Sequence, residues 1–173
     1  MKYELSKEVI EFLQHSNYIE EEYSKKALED AKIAWIYALE DKNNFQLDYM
    51  LNIHKLLMKN LKPNIAGKLR DCPIFLVNNG KIIEKIPQFS QKELEEKLND
   101  LSCLYNFNKE KFDKEKIMQW HINFEHIHPF RDGNGRTGRI LMNIQYINAK
   151  LPILIIHEGE EQQKYYNLFK RKK

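Results

Sequence analysis

His128-Pro129-Phe130-Arg131-Asp132-Gly133-Asn134-Gly135-Arg136-Thr137-Gly138-Arg139 gathers a histidine, a carboxylate, three glycines, an asparagine and three arginines into twelve consecutive positions. One amphipathic run precedes it and another follows, so the stretch reads as a tight loop opening a helix near Asn134 or Gly135. A helix start presents free N–H groups and the positive end of its dipole, which suits an anion. Gly133 and Gly135 let the backbone approach a phosphate that side chains would fend off. Arg136 and Arg139 lie on the first turn and can reach one polyphosphate. Asp132 is the hard oxygen donor that a Mg2+ ion bridging phosphates takes. An uncharged His128 can accept a proton from an attacking hydroxyl. The set points to phosphoryl or nucleotidyl transfer.

Other chemistries fit less of it. Gly133 to Gly138 matches G-x-G-x-x-G, but the dinucleotide fingerprint needs a preceding strand within a βαβ unit, and here a helix precedes. The sequence contains no Walker A motif. A zinc site from His121, His126, His128 and Asp132 lacks the H-E-x-x-H order and would sit among arginines. A plain surface helix–turn–helix leaves the glycines unexplained, since they are costly near a helix start.

Outward from the motif, Asp113 caps the helix that runs into it, with Phe112 and Ile117 as a hydrophobic staple and Met118, Trp120, Ile122, Phe124 and Ile127 along it. Downstream, Ile140, Leu141, Ile144 and Ile147 continue a helix to about Lys150. A short apolar segment, Pro152 to Ile156, and a last amphipathic helix over 162–170 follow. Toward the N-terminus, Ser90-Gln91-Lys92-Glu93 is a capping box for a helix to about Leu104, with Leu94, Leu98, Leu101 and Leu104 inward. Asn78-Asn79-Gly80 between Pro73–Val77 and Lys81–Ile83 predicts a β-hairpin. A helix over 46–60 carries an apolar stripe on which His54 reads as a hydrogen-bonded core histidine. Ser24 caps a helix to Glu40, and residues 7–14 form a short one. The expected fold is mainly α, about seven helices with one β-hairpin. It forms a single compact domain, with N-terminal helices over 1–44 and the core over 45–173.

The 173 residues suit one hydrophobic core, and a net charge of +3 does not announce a nucleic-acid partner. Cys72 and Cys103 lack disulfide or metal-ligand spacing and read as buried or half-buried free thiols in a reducing compartment. No signal-peptide h-region or bilayer-length apolar run is found. A cytoplasmic protein without a membrane partner is expected.

In these residues the chain resembles the Fic-domain proteins. Their motif, H-x-F-x-[DE]-G-N-G-R-x-x-R, is matched at every fixed position by His128, Phe130, Asp132, Gly133, Asn134, Gly135, Arg136 and Arg139. Phe124-Glu125-His126-Ile127, the hairpin, Leu151-Pro152 and Tyr165-Tyr166 extend the likeness over about residues 45–170. The resemblance implies the Fic fold and transfer of AMP from ATP, with Mg2+, to a Tyr, Ser or Thr hydroxyl of a target protein. It makes His128 the base and Asp132 the metal ligand. Asn134 with the Gly133–Gly135 backbone would cradle the phosphates, Arg136 and Arg139 would meet the β- and γ-phosphates, and Tyr166 would lie near the nucleotide's base.

The hairpin at 74–83 corresponds to the family's flap, which docks the target segment by strand addition. Self-modification and a homo-oligomer stay open, and no nucleic acid is expected. The phosphorylating Doc-type toxins have a lysine where Gly135 stands, so Gly135 favours AMP transfer. A hydrolase removing AMP, a phosphotransferase and a toxin–antitoxin type module are the alternatives. Many Fic proteins carry an inhibitory helix, [ST]-x-x-x-E-[GN]. Ser16-Asn17-Tyr18-Ile19-Glu20, within 15–22, fits it, and Glu21 departs from it. Glu20 is then expected to pair with Arg139 and block the ATP γ-phosphate. Family members usually continue the last helix past the position of Lys173, so the adenine side is expected to be sparse or completed by a partner chain.

Overall fold

The computed structural model describes residues 4–78 and 81–170, with the backbone alone over 76–78 and 81–84. Its elements are α1 (Lys7–Tyr18), α2 (Lys25–Glu40), α3 (Leu47–Met58), β1 (Phe75–Asn78), β2 (Lys81–Lys85), α4 (Gln91–Asn108), α5 (Lys114–Ile127), α6 (Asn134–Asn148) and α7 (Glu160–Asn167). A short 3-10 turn, Lys109–Lys111, joins α4 to α5. Ser6, Ser24, Ser90 and Asp113 start four of the helices, their side chains accepting from the backbone N–H of Val9, Ala27, Glu93 and Lys116. Each satisfies a donor that the helix itself leaves free.

The hub is α6, buried continuously from Arg136 to Tyr146 and packed against α5, α3, α2 and α1. A helix apolar or enclosed on every side belongs at the centre of a core. Around it lie Trp35, Phe45, Met50, Ile53, Trp120, Phe124 and Phe130, all 1% exposed or less. Each such side chain contributes about 2–3 kcal/mol by leaving water. The strand Phe75–Asn78 pairs antiparallel with Lys81–Lys85, and the register shifts between Leu76 and Val77. The Asn79-Gly80 turn expected from the sequence lies outside the described residues.

Four expectations need correction. The first helix runs on to Tyr18 instead of stopping near residue 14, because Phe12, Leu13, Ser16 and Asn17 keep one face buried. On α4 the inward series passes from Leu98 and Leu101 to Tyr105, 1% exposed, which leaves Leu104 47% exposed on the neighbouring face. Cys103, next to Leu104, is exposed as well. The last helix is displaced toward the N-terminus, to Glu160–Asn167. Among the described residues, no helix is long and apolar enough to cross a membrane.

The segment before α7 is held to the hub by one side chain. Asn143 donates to the carbonyl of Leu154 at 3.0 Å and accepts from its N–H at 2.6 Å. That pair of hydrogen bonds carries the chain from α6 round to α7, which then lies beside the end of α1.

Candidate active site

α5 ends where His128 takes a left-handed conformation, φ 49°, its N–H donating to the carbonyl of Phe124 at 3.0 Å. Burial pushes the His128 imidazole down to about 4, so it is neutral near pH 7. Its ring is also hydrogen-bonded to the backbone of Glu125. A carbonyl only accepts, so the bonded ring nitrogen carries the hydrogen and the other keeps its lone pair. That is the form a general base needs.

The loop from His128 to Gly133 is pinned from several sides. Asn134 spends both ends of its amide on Phe130, accepting from its N–H at 2.8 Å and donating to its carbonyl at 2.9 Å. The Asn134 side chain, expected to cradle a phosphate, anchors the loop in this way. His54, fully buried, accepts from the N–H of Gly67 on Nδ1 at 3.0 Å, which leaves Nε2–H to donate to the carbonyl of Asp132 at 2.9 Å. Its ring stacks on Phe130, centroids 3.7 Å apart. Arg70, 1% exposed, donates to the carbonyls of His128 at 2.7 Å and Pro87 at 2.6 Å, tying the base of the hairpin to the motif. Gly133 turns the chain into α6 at φ 76°, and a Cβ there would meet Met58 Sδ at 2.8 Å.

Asp132 faces two cations and a backbone N–H. Its Oδ1 accepts from the Gly133 N–H at 2.6 Å and lies 3.6 Å from Arg136 Nη2, while Oδ2 pairs with Lys62 Nζ. Burial alone would raise its pKa, but Lys62, Arg136 and the Gly133 N–H outweigh it and hold the carboxylate below its usual range. An ionised, one-third-exposed carboxylate beside a helix N-terminus fits Mg2+, which binds through one or two carboxylates plus substrate phosphates. Arg136 is 6% exposed and turned to Asp132.

Arg139 lies with its guanidinium under α1. It is 1% exposed, donates from Nε to Ser16 Oγ at 2.9 Å, and from Nη2 to the Ser16 carbonyl at 2.9 Å and to Glu20 Oε1 at 2.8 Å. Burial would lower the Arg139 pKa, but Tyr165 and Glu20 beside it raise it, so the cation persists. The Glu20 carboxylate rests over Gly135, where an added Cβ would collide with Glu20 and Arg139. A carboxylate thus stands at the N-terminus of α6, where the dipole favours an anion.

How α1 ends explains this placement. Glu22 N–H donates to the carbonyl of Asn17 at 3.1 Å and Glu21 N–H to that of Tyr18 at 2.8 Å. With Glu21 at φ 58°, this is a Schellman closure carrying glutamate where Gly or Asn is favoured. The [GN] position of the inhibitory pattern is the left-handed residue of that closure. Tyr166, expected near a nucleotide's base, donates its hydroxyl to the Ile19 carbonyl at 2.9 Å, and Gln162 donates to the same oxygen at 3.1 Å. Tyr165 is buried against Arg139, with His121 Nε2 2.7 Å from its hydroxyl.

Lys62, Arg70 and Glu125 were not singled out from the sequence. Glu125 packs beside Gly138, and burial pushes its carboxyl up to about 8. Only its position in Phe124-Glu125-His126-Ile127 hinted at a place near the site.

A model of the Fic/DOC family matches residues 44–146. The protein adenylyltransferase Fic of Aedes aegypti is 30% identical over 149 residues, covering 80% of this chain and 27% of that protein. The protein adenylyltransferase fic-1 of Caenorhabditis briggsae is 27% identical over 124 residues, covering 72% and 23%. The chain thus spans about a quarter of the length of these curated relatives. Among solved structures, Fic-1 from C. elegans superposes with a TM-score of 0.76 at 19% identity, covering 92% of this chain and 54% of that one. A Fic-domain signaling protein of Bacteroides thetaiotaomicron gives 0.76 at 19%, covering 92% and 69%.

Proposed function

The chain belongs to the Fic/DOC family, and on that premise we propose that it is a protein adenylyltransferase, moving AMP from ATP to a protein hydroxyl and held at rest by Glu20. The observation that carries the reading is the Glu20–Arg139 pair lying over Gly135. Gly133, Arg136 and Asp132 lie close by, and Glu20 sets its own carboxylate at the start of the helix.

In the reaction, the free lone pair of His128 takes the proton of a Tyr, Ser or Thr hydroxyl. The oxygen attacks the α-phosphorus, the bond from that phosphorus to the α,β-bridging oxygen breaks, and pyrophosphate leaves. The proton stays on His128 until solvent removes it. Backbone N–H groups at the start of α6 face the phosphates, with Arg136 beside them. Arg139 takes the γ-phosphate once Glu20 withdraws. Asp132 would hold Mg2+, which supplies charge neutralisation on the phosphates, and Lys62 has to give up Oδ2 for that. The paired strands Phe75–Asn78 and Lys81–Lys85 act as the flap, their backbone receiving the target segment by strand addition.

With ATP labelled on its α-phosphate, Glu20→Gly should transfer label to itself or to lysate proteins on the order of 10- to 100-fold more than the unchanged protein, the usual range of a coupling energy. His128→Ala in the same background should remove it. Intact-mass analysis should show a gain matching AMP. A gain matching phosphate, or release of AMP from a pre-modified target by the unchanged protein, would replace this reading with a phosphotransferase or a hydrolase. No gain in Glu20→Gly would end the self-inhibition.

A further inference from the structure

On the far side of α1 from the loop, a second group of side chains converges. Glu11 and His15 are four residues apart and share one face of α1. His157, in the turn leading into α7, comes to meet them. One donor atom from each of the three lies within 4.8 Å of the others. His157 Nε2 is 3.3 Å from Glu11 Oε1, and the His15 and His157 ring centroids are 4.4 Å apart.

Two details separate this group from an ordinary surface ion pair. The first is His15 Nδ1, which is shielded from solvent and has no hydrogen-bond partner among the described residues. The second is Glu161. Its Oε2 lies 2.8 Å from His157 Nδ1 and accepts from the His157 backbone N–H at 3.0 Å. With Nδ1 held by Glu161, Nε2 is the nitrogen that a metal would take, in exchange for the hydrogen it shares with Glu11. That is how a carboxylate orients a metal-binding histidine. A protonated His157 between two glutamates accounts for Glu11, His157 and Glu161, but it leaves His15 Nδ1 unexplained.

We propose that Glu11, His15 and His157 form a binding site for a divalent transition metal, Zn2+ foremost, with Glu161 orienting His157. Two imidazoles and one carboxylate are a borderline donor set that suits Zn2+ and its neighbours over Mg2+ or Ca2+. Three protein ligands leave a fourth position for water. Glu11 and His157 are about half exposed, so both can draw in to metal–ligand distance without disturbing the core.

The site joins α1 to the entry of α7, and α1 next presents Ser16 and then Glu20 to Arg139. Bound metal therefore favours the arrangement in which Glu20 holds Arg139. This second step rests on the proposed resting state, and the first does not. By linkage, metal should weaken ATP binding in the unchanged protein and leave Glu20→Gly unaffected.

The test is calorimetric titration of the full chain with ZnCl2 without nucleotide, with the visible spectrum of Co2+ as a second readout. One Zn2+ should bind per chain and raise the melting temperature, while Mg2+ alone does neither. His15→Gln and His157→Gln should each weaken Zn2+ by at least tenfold, and Glu161→Gln by about tenfold, the usual cost of losing an outer-shell carboxylate. Glu11→Gln, on an exposed side chain, should weaken it similarly and keeps the test decisive if a histidine variant folds poorly. Absence of Zn2+ binding, or binding that survives all four substitutions, would overturn the site. Stoichiometric Zn2+ that leaves ATP affinity unchanged in the unchanged protein would overturn only the coupling. Labelling by Glu20→Gly judges the resting state separately.

Discussion

Lys62 occupies the oxygen of Asp132 that an incoming cation would want, and it stands there as a cation of the protein's own. The pair is partly exposed, so its attraction is worth about 1 kcal/mol at most. Lys62→Ala should therefore leave the fold intact and tighten Mg2+-dependent nucleotide binding roughly fivefold, the equivalent of that energy, as read by titration in the Glu20→Gly background. Weaker binding would instead mean that Lys62 helps hold the phosphates. Nothing in the sequence marks this lysine. It lies 70 positions from its partner, and Lys at a helix end is common. Arg70 was equally opaque, reaching a partner 58 positions away, whereas His54 is the hydrogen-bonded core histidine expected, its partner 78 positions away. The motif residues stood out because the phosphate chemistry proposed for them demands those residue types at that spacing, whereas their supports can come from any element that arrives nearby.

At the scale of the element, the end of α1 stores strain. Glu21 occupies a left-handed position that costs a non-glycine residue about 1 kcal/mol. Glu21→Gly should recover roughly that amount, less some unfolded-state entropy, and raise the melting temperature by a few degrees. It should also lower the residual labelling activity of the unchanged protein, because the closure that sets Glu20 on Arg139 becomes easier to hold. A fall in melting temperature would show that the Glu21 side chain contributes more than its backbone costs. Helix starts were readable from Ser24, Ser90 and Asp113, whose capping is local chemistry. The longer reach of α1 was not, because Ser16 and Asn17 look like a polar stop until Arg139 is seen to bury against that face.

For the molecule as a whole, titration follows from what is buried around α6. Burial pushes His54 and His128 down to about 4 and His121 down to about 3. Unfolding below pH 6.5 lets all three take protons that the folded state refuses. Glu125, pushed up to about 8, works the other way, holding a proton in the folded state that it loses on unfolding above about pH 4.5. His157, raised by Glu161 and Glu11, acts only above its ordinary value. The net uptake of about two protons between pH 4.5 and 6.5 should make stability climb by about 2–3 kcal/mol per pH unit there, then level or fall slightly toward pH 8. Urea midpoints across that range would test it, and a flat profile would remove the neutral-histidine account of His128. The overall helical order was legible because each amphipathic run has its own period and caps. The burial of α6 was not, since its first turn reads as polar and it takes the packing of α1, α2, α3 and α5 to enclose it.

The carboxylate over Gly135 can also be described as a ligand that never leaves. In the proposed resting state, Glu20, tethered through the last turn of α1, would compete for Arg139 at an effective concentration fixed by its linkage, and for a short tether that concentration is on the order of millimolar. Nucleotide would then meet a concentration threshold instead of a closed door. The unchanged protein should need far more ATP than Glu20→Gly to reach half-maximal labelling, and both should approach similar rates at saturation. The protein would thereby respond to how much ATP surrounds it, with a set point written into the length and stiffness of one helix end.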